Sequence, residues 1–213
     1  MKMIKLLLLL LILFLNNNQV KSVTYLEMTP YEKSDCSGES EGIGYAFIVN
    51  QCFAIAGDYY SVSLNSDHSN STISEYKDGE NNQCTGLISD NDKVYEIDGC
   101  YNAPNYVWNS GAVPSNYVKI SISVNPTDIP QYGFRQTTYA PGDKDCQSNP
   151  QFYWYATNNT KIDMGNFSAT FYCSDNESFE IYCAPGCFTT DSSMTCIRDF
   201  THWATENYMA GSC

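Results

Sequence analysis

Asp35-Cys36-Ser37-Gly38-Glu39-Ser40-Glu41-Gly42-Ile43-Gly44-Tyr45-Ala46 has a counterpart 110 positions on, Asp145-Cys146-Gln147-Ser148-Asn149-Pro150-Gln151-Phe152-Tyr153-Trp154-Tyr155-Ala156. Each stretch opens Asp-Cys, places a Tyr nine positions after the Cys, and closes Tyr-Ala. Later cysteines keep step: Cys36 to Cys84 spans 48 positions and Cys84 to Cys100 spans 16, against 50 from Cys146 to Cys196 and 17 from Cys196 to Cys213. Upstream, Thr29-Pro30-Tyr31 faces Thr137-Thr138-Tyr139, and downstream Ser61 to Leu64 faces Ser168 to Phe171. Short matches that recur in one common order read as an internal duplication.

The repeated units read as β structure. Tyr60, Val62 and Leu64 alternate with Ser61 and Ser63, and Val118, Ile120, Ile122 and Val124 alternate with Lys119, Ser121 and Ser123. Phe167, Ala169 and Phe171 do the same with Ser168 and Thr170. A period of two marks half-buried strands, and polar clusters such as Ser66 to Ser71 and Ser174 to Ser178 mark the turns between them. Helical spacing occurs once, where Phe200, Trp203, Ala204 and Tyr208 predict a short helix over Asp199 to Ala210. Pro126 and Pro130 interrupt the pattern and set a boundary. The expected architecture is therefore all-β, with two tandem disulfide-stabilised antiparallel β domains, residues 23–126 and 130–213. One β-sandwich built from both halves is the alternative.

Residues 1–22 read as a secretory signal peptide: Lys2 and Lys5 precede the unbroken apolar run Leu6 to Leu15, and Val20 and Ser22 suit a cut that leaves Val23 as the mature start. The apolar run is half of the roughly 20 residues a spanning helix needs. No later segment suggests a membrane or lipid anchor. The mature chain then carries 8 basic against 24 acidic residues, a balance that repels nucleic acid and anionic lipid and favours cationic partners.

In an oxidising compartment the ten cysteines, Cys36, Cys52, Cys84, Cys100, Cys146, Cys173, Cys183, Cys187, Cys196 and Cys213, read as disulfides. Four fall in the first half and six in the second, which leaves 3 and 15 internal connectivities open. A framework that kept its bonds through duplication would join Cys36 to Cys84 and Cys146 to Cys196. Cys183-Ala184-Pro185-Gly186-Cys187 has the spacing of a metal knuckle, but a zinc site needs reduced sulfur, so a disulfide-tied turn is expected and no cofactor or metal. Asn70, Asn158, Asn166 and Asn176 head Asn-x-Ser/Thr acceptors for glycans.

The chain offers little catalytic material. His68 lies in a polar turn beside a glycan acceptor, and His202 has Asp199 one helical turn away but no nucleophile motif to serve. Asp90-Asn91-Asp92 begins like a calcium loop and then departs at Lys93-Val94. With 24 carboxylates, no glycosidase pair can be singled out. Aromatics carry the one binding signal: alternation along Gln151 to Tyr155 sends Phe152 and Trp154 to one face and Tyr153 and Tyr155 to the other, where core and cross-strand packing on both faces is the favoured reading and a Tyr153–Tyr155 contact to a sugar or a partner the rival.

The leucine-rich leader ending in Asn16-Asn17-Asn18, the Asp35-Cys36-Ser37-Gly38 and Gly42-Ile43-Gly44-Tyr45-Ala46 run, and cysteines continuing to Cys213 resemble the small secreted cysteine-rich proteins of social amoebae grouped with the counting-factor-associated proteins. The resemblance covers the whole chain. It implies a secreted glycoprotein and, for some members, association with an extracellular complex that reports cell number. It supplies no catalytic residues. The expected function is thus a secreted, non-enzymatic protein whose partner is an extracellular protein complex, with a carbohydrate-binding module as alternative and a carboxylate-based hydrolase last.

Overall fold

The period-two runs form antiparallel strands in the structure, a computed structural model that describes residues 22–77, 84–85, 87–88, 92–108, 114–124, 133–191, 195–199 and 206–213. The first half supplies β1 (Thr24–Tyr31), β2 (Ile43–Ile48), β3 (Cys52–Ile55), β4 (Asp58–Leu64), β5 (Asn70–Lys77), β6 (Leu87–Ile88), β7 (Lys93–Glu96), β8 (Cys100–Asn102) and β9 (Tyr117–Val124). The second supplies β10 (Phe134–Tyr139), β11 (Phe152–Ala156), β12 (Thr160–Asp163), β13 (Ser168–Ser174), β14 (Glu177–Ala184), β15 (Gly186–Asp191), β16 (Ile197–Arg198) and β17 (Tyr208–Ser212).

These strands make three sheets. One has eight strands in the order β16-β17-β10-β11-β2-β1-β9-β8; β12-β13-β14-β15 form a second, and β3-β4-β5-β6, with β7 also on β5, a third. The all-β expectation of disulfide-stabilised antiparallel sheets holds, and the largest sheet is built from both halves. Each half keeps a small sheet of its own, while both contribute four strands to the large one. The halves meet where β2 pairs with β11, Phe47 opposite Phe152 and Gly44 opposite Tyr155. Each of those strands would otherwise be an edge with unpaired N–H and C=O groups, and pairing them satisfies both edges at once.

The large sheet packs one face against the two small ones. Tyr45, Phe47, Phe152 and Trp154 alternate onto that face. Phe47 and Phe152 meet Phe53 of β3 at 6.0 and 6.5 Å between ring centroids, while Trp154 and Phe134 meet Phe171 of β13 at 5.1 and 5.3 Å. Stacked, tilted and edge-on ring pairs of this kind add about 0.5–1.5 kcal/mol each beyond the area they bury. One continuous aromatic core therefore runs under both halves. At the seam, Gly42 donates its N–H to Thr157 Oγ1 at 2.8 Å, and the buried Asn116 amide both accepts from Ile43 N–H and donates to Ile43 C=O at 3.0 Å.

All ten cysteines are bonded, each within its own half: Cys36–Cys100, Cys52–Cys84, Cys146–Cys196, Cys173–Cys213 and Cys183–Cys187. Cys146–Cys196 matches expectation. Cys36–Cys84 does not, because the loop bearing Cys36 lies against β8, which opens with Cys100, while Cys84 reaches Cys52 on β3. The C-terminal helix expected over Asp199 to Ala210 is corrected at its last three residues only. Residues 200–205 lie outside the described residues, and Tyr208 to Ser212 form β17, with Met209 opposite Thr138 of β10. A free sheet edge outweighs a weak local helical pattern there.

Candidate functional site

The Gln151 to Tyr155 run that promised a binding face becomes β11, and all five of its strand residues are buried. Tyr153 is 2% and Tyr155 7% exposed. Each lies opposite a small residue of β2, Ala46 for Tyr153 and Gly44 for Tyr155, and the Tyr155 ring lies down over Gly44. The Arg135 guanidinium sits 5.6 Å from the Tyr153 ring centroid. Burial drives the Tyr155 phenol pKa upward, with the neighbouring Tyr153 adding to it. The pair packs the seam and is not presented to a sugar.

The opposite side of the same strand does line a cleft of about 260 Å³. Phe152 and Trp154 of β11, Gln136 and Thr138 of β10, Ala56 of the β3–β4 turn and Asp199 surround it, so both halves contribute. Trp154 Nε1 donates to Gln136 Oε1 at 2.8 Å, which commits the indole N–H within the protein. A second cleft of about 340 Å³ opens where β2 begins beside β12, with Glu32, Lys33, Glu41, Asn116, Thr160 and Lys161 around it. Its buried amide, Asn116, is already spent on Ile43 and Tyr117.

The titrating groups are mostly turn builders. Hydroxyl and backbone hydrogen bonds from Ser37, Ser69 and Ser148 hold Asp35, Asp67 and Asp143 below the usual carboxylate range, each on an exposed loop. Glu180 is shifted the other way by burial, partly offset by the Tyr182 hydroxyl that donates to it. His68 stands in an exposed turn at φ 57°, its N–H on Asn65 C=O. His202 lies outside the described residues, as do Asp90 and Asn91 of the calcium-like run. Among the described residues, no three His, Cys, Asp or Glu side chains gather to hold a metal ion. Cys183 and Cys187, the knuckle candidates, are bonded to each other.

The four glycan acceptors stand at turns. Asn70 follows the β4–β5 turn, Asn158 the end of β11, Asn166 lies between β12 and β13, and Asn176 between β13 and β14. Asn158, Asn166 and Asn176 are exposed and Asn70 is half-buried. Sequence reasoning missed Gln136, Thr138 and the Phe152–Trp154 side of the cleft. The alternation that separated the two faces of β11 was legible, but which face would border a cleft depended on the distant β3–β4 turn.

A model of the family described as "Counting factor-associated protein A/B/C" matches residues 1–208. An uncharacterized protein of Dictyostelium discoideum is 27% identical over 205 residues, which is 88% of this chain and 65% of that protein, so the chain spans just under two thirds of that relative's length. No solved structure matches.

Proposed function

The chain belongs to the counting factor-associated protein A/B/C family, and from that premise we propose that it is a secreted, N-glycosylated, non-enzymatic interaction protein that works within an extracellular assembly. The observation that carries this reading is the fully bonded cysteine framework, which ties loops and sheet edges into a rigid scaffold in both halves. Four acceptor asparagines on turns and the acidic balance of the sequence are in keeping with a soluble extracellular carrier of binding surfaces. Native size exclusion and crosslinking of conditioned medium test it. The reading expects the protein in a species larger than one glycosylated chain; a lone monomer at every concentration contradicts it.

The same reading takes the two halves as copies of one unit. Cys36 and Cys146 both sit at φ 52°, each donating its N–H to the carbonyl three residues back, Lys33 and Asp143. Their partners, Cys100 and Cys196, lie at corresponding places, at β8 and beside β16, the two outermost strands of the large sheet. The strand order supports a two-fold relation about the β2–β11 junction.

A further inference from the structure

Among the described residues, the four-stranded sheet of the second half ends in β15, whose sequence Gly-Cys-Phe-Thr-Thr-Asp is exposed at five of six positions. Proteins blunt such edges with Lys, Pro or a bulge, because an open strand recruits another chain. β15 has none of these: it carries no Lys, Arg or Pro, and its register on β14 runs unbroken from Phe179 opposite Asp191 to Ala184 opposite Gly186. β7, on the small sheet of the first half, carries Lys93.

An aromatic row leads to this edge. Phe167 and Tyr182 lie 6.4 Å apart and Tyr182 stacks on Phe188 at 5.6 Å. Phe188 ends the row with 59% of its surface exposed. The next rung would belong to a strand beyond β15. Cys183 and Cys187 are directly paired positions of β14 and β15, joined by a disulfide across a turn of three residues. So short a loop constrains the unfolded chain least, but the bond fixes the hairpin's geometry, and preorganised edges bind at lower entropic cost.

Charge selects the occupant. From Ile162 to Ile197 the sequence has no Lys or Arg but includes Asp163, Asp175, Glu177, Glu180 and Asp191. A second copy of so acidic a chain would repel itself there. We propose that β15 is the docking edge for an extended strand of a different polypeptide, one in which basic and apolar residues alternate, added antiparallel so that an apolar side chain covers Phe188. This rests on the reading of the chain as an interaction protein and names the surface it uses. Backbone pairing supplies affinity, and the alternating side chains supply choice of partner.

The test uses the full secreted chain and a Lys-Val-Lys-Val-Lys-Val-Lys peptide, with Glu-Val and residue-scrambled peptides as controls, read by calorimetry and by amide hydrogen exchange. The Lys-Val peptide should bind, weaken with salt and protect β15 amides. Phe188→Lys should weaken it by about tenfold or more, whereas Val94→Lys on the similarly exposed β7 should not. Equal binding by the Glu-Val or scrambled peptide, protection elsewhere, unchanged affinity in Phe188→Lys, or a homodimer that this substitution dissolves would overturn the proposal. Running Phe188→Lys in conditioned medium separates the two ideas. A large species that persists with the variant leaves complex membership standing and removes β15 from it, and no large species for either chain removes the membership itself.

Discussion

Tyr155 lies across Gly44 at the junction of the two halves, so that a Cβ added to Gly44 would stand 2.4 Å from the ring Cζ. The two residues are direct partners in the β2–β11 register. Gly44 is therefore a packing requirement of the seam. Gly44→Ala should lower stability by about 1–3 kcal/mol. Shrinking the ring in Gly44→Ala/Tyr155→Leu should cost less than the sum of the single changes. Denaturant titration of the four proteins checks both.

The β3–β4 hairpin turns on Ala56 and Gly57, both at positive φ, 52° and 94°. Ile55 and Asp58 pair across them, which makes a two-residue turn that favours Asn-Gly. An Ala in the left-handed region is strained. Ala56→Asn should raise stability by about 0.5–1 kcal/mol, visible as a higher melting temperature; a lower one would mean the turn is held by contacts Ala alone permits.

How much of this was readable beforehand differs by feature. The alternation at Val118 to Val124 and Phe167 to Phe171 announced strands, and Val118, Ile120, Ala169 and Phe171 are buried on them. Tyr45 and Tyr155, each nine positions after its Cys, fall on β2 and β11 but on opposite faces, Tyr45 opposite Trp154 and Tyr155 opposite Gly44. That these two strands would pair with each other was not legible, since pairing across more than 100 residues leaves no local signal. The same limit explains Cys36: spacing matched it to Cys84, but the approach of β8 decides the bond. Tyr153 and Tyr155 pack as the favoured reading expected, but alternation alone left a sugar contact open, because it reports which side a residue takes and not what covers that side.

The disulfides should differ in worth. Cys36–Cys100 closes 64 positions and Cys183–Cys187 closes 4. Chain entropy predicts about 4 kcal/mol for the first and about 2 for the second. Replacing each pair with Ser and measuring unfolding free energies should reproduce that order. Equal losses would point to a structural role for the short bridge beyond its hairpin.

Alkaline pH should unfold the protein through its tyrosines. Burial, with Tyr139 adding, pushes Tyr25 up to about 12, and burial also raises Tyr45, Tyr60, Tyr106, Tyr155 and Tyr182. A neutral phenol in the fold and an ionised one in the unfolded chain mean that stability is intact below the ordinary value of 10 and falls as pH climbs past it. Phenolate absorbance should rise together with loss of near-ultraviolet circular dichroism. Full titration near 10 with the fold intact would contradict the buried placement of these rings.

The most direct test of a secreted scaffold of two joined, separately cross-linked halves is peptide mapping of the unreduced protein recovered from the medium. The account predicts a chain beginning at Val23, no free thiol, and the five bonds Cys36–Cys100, Cys52–Cys84, Cys146–Cys196, Cys173–Cys213 and Cys183–Cys187. A chain retained in the cell with reduced cysteines, or a peptide linking a first-half cysteine to a second-half one, would contradict it.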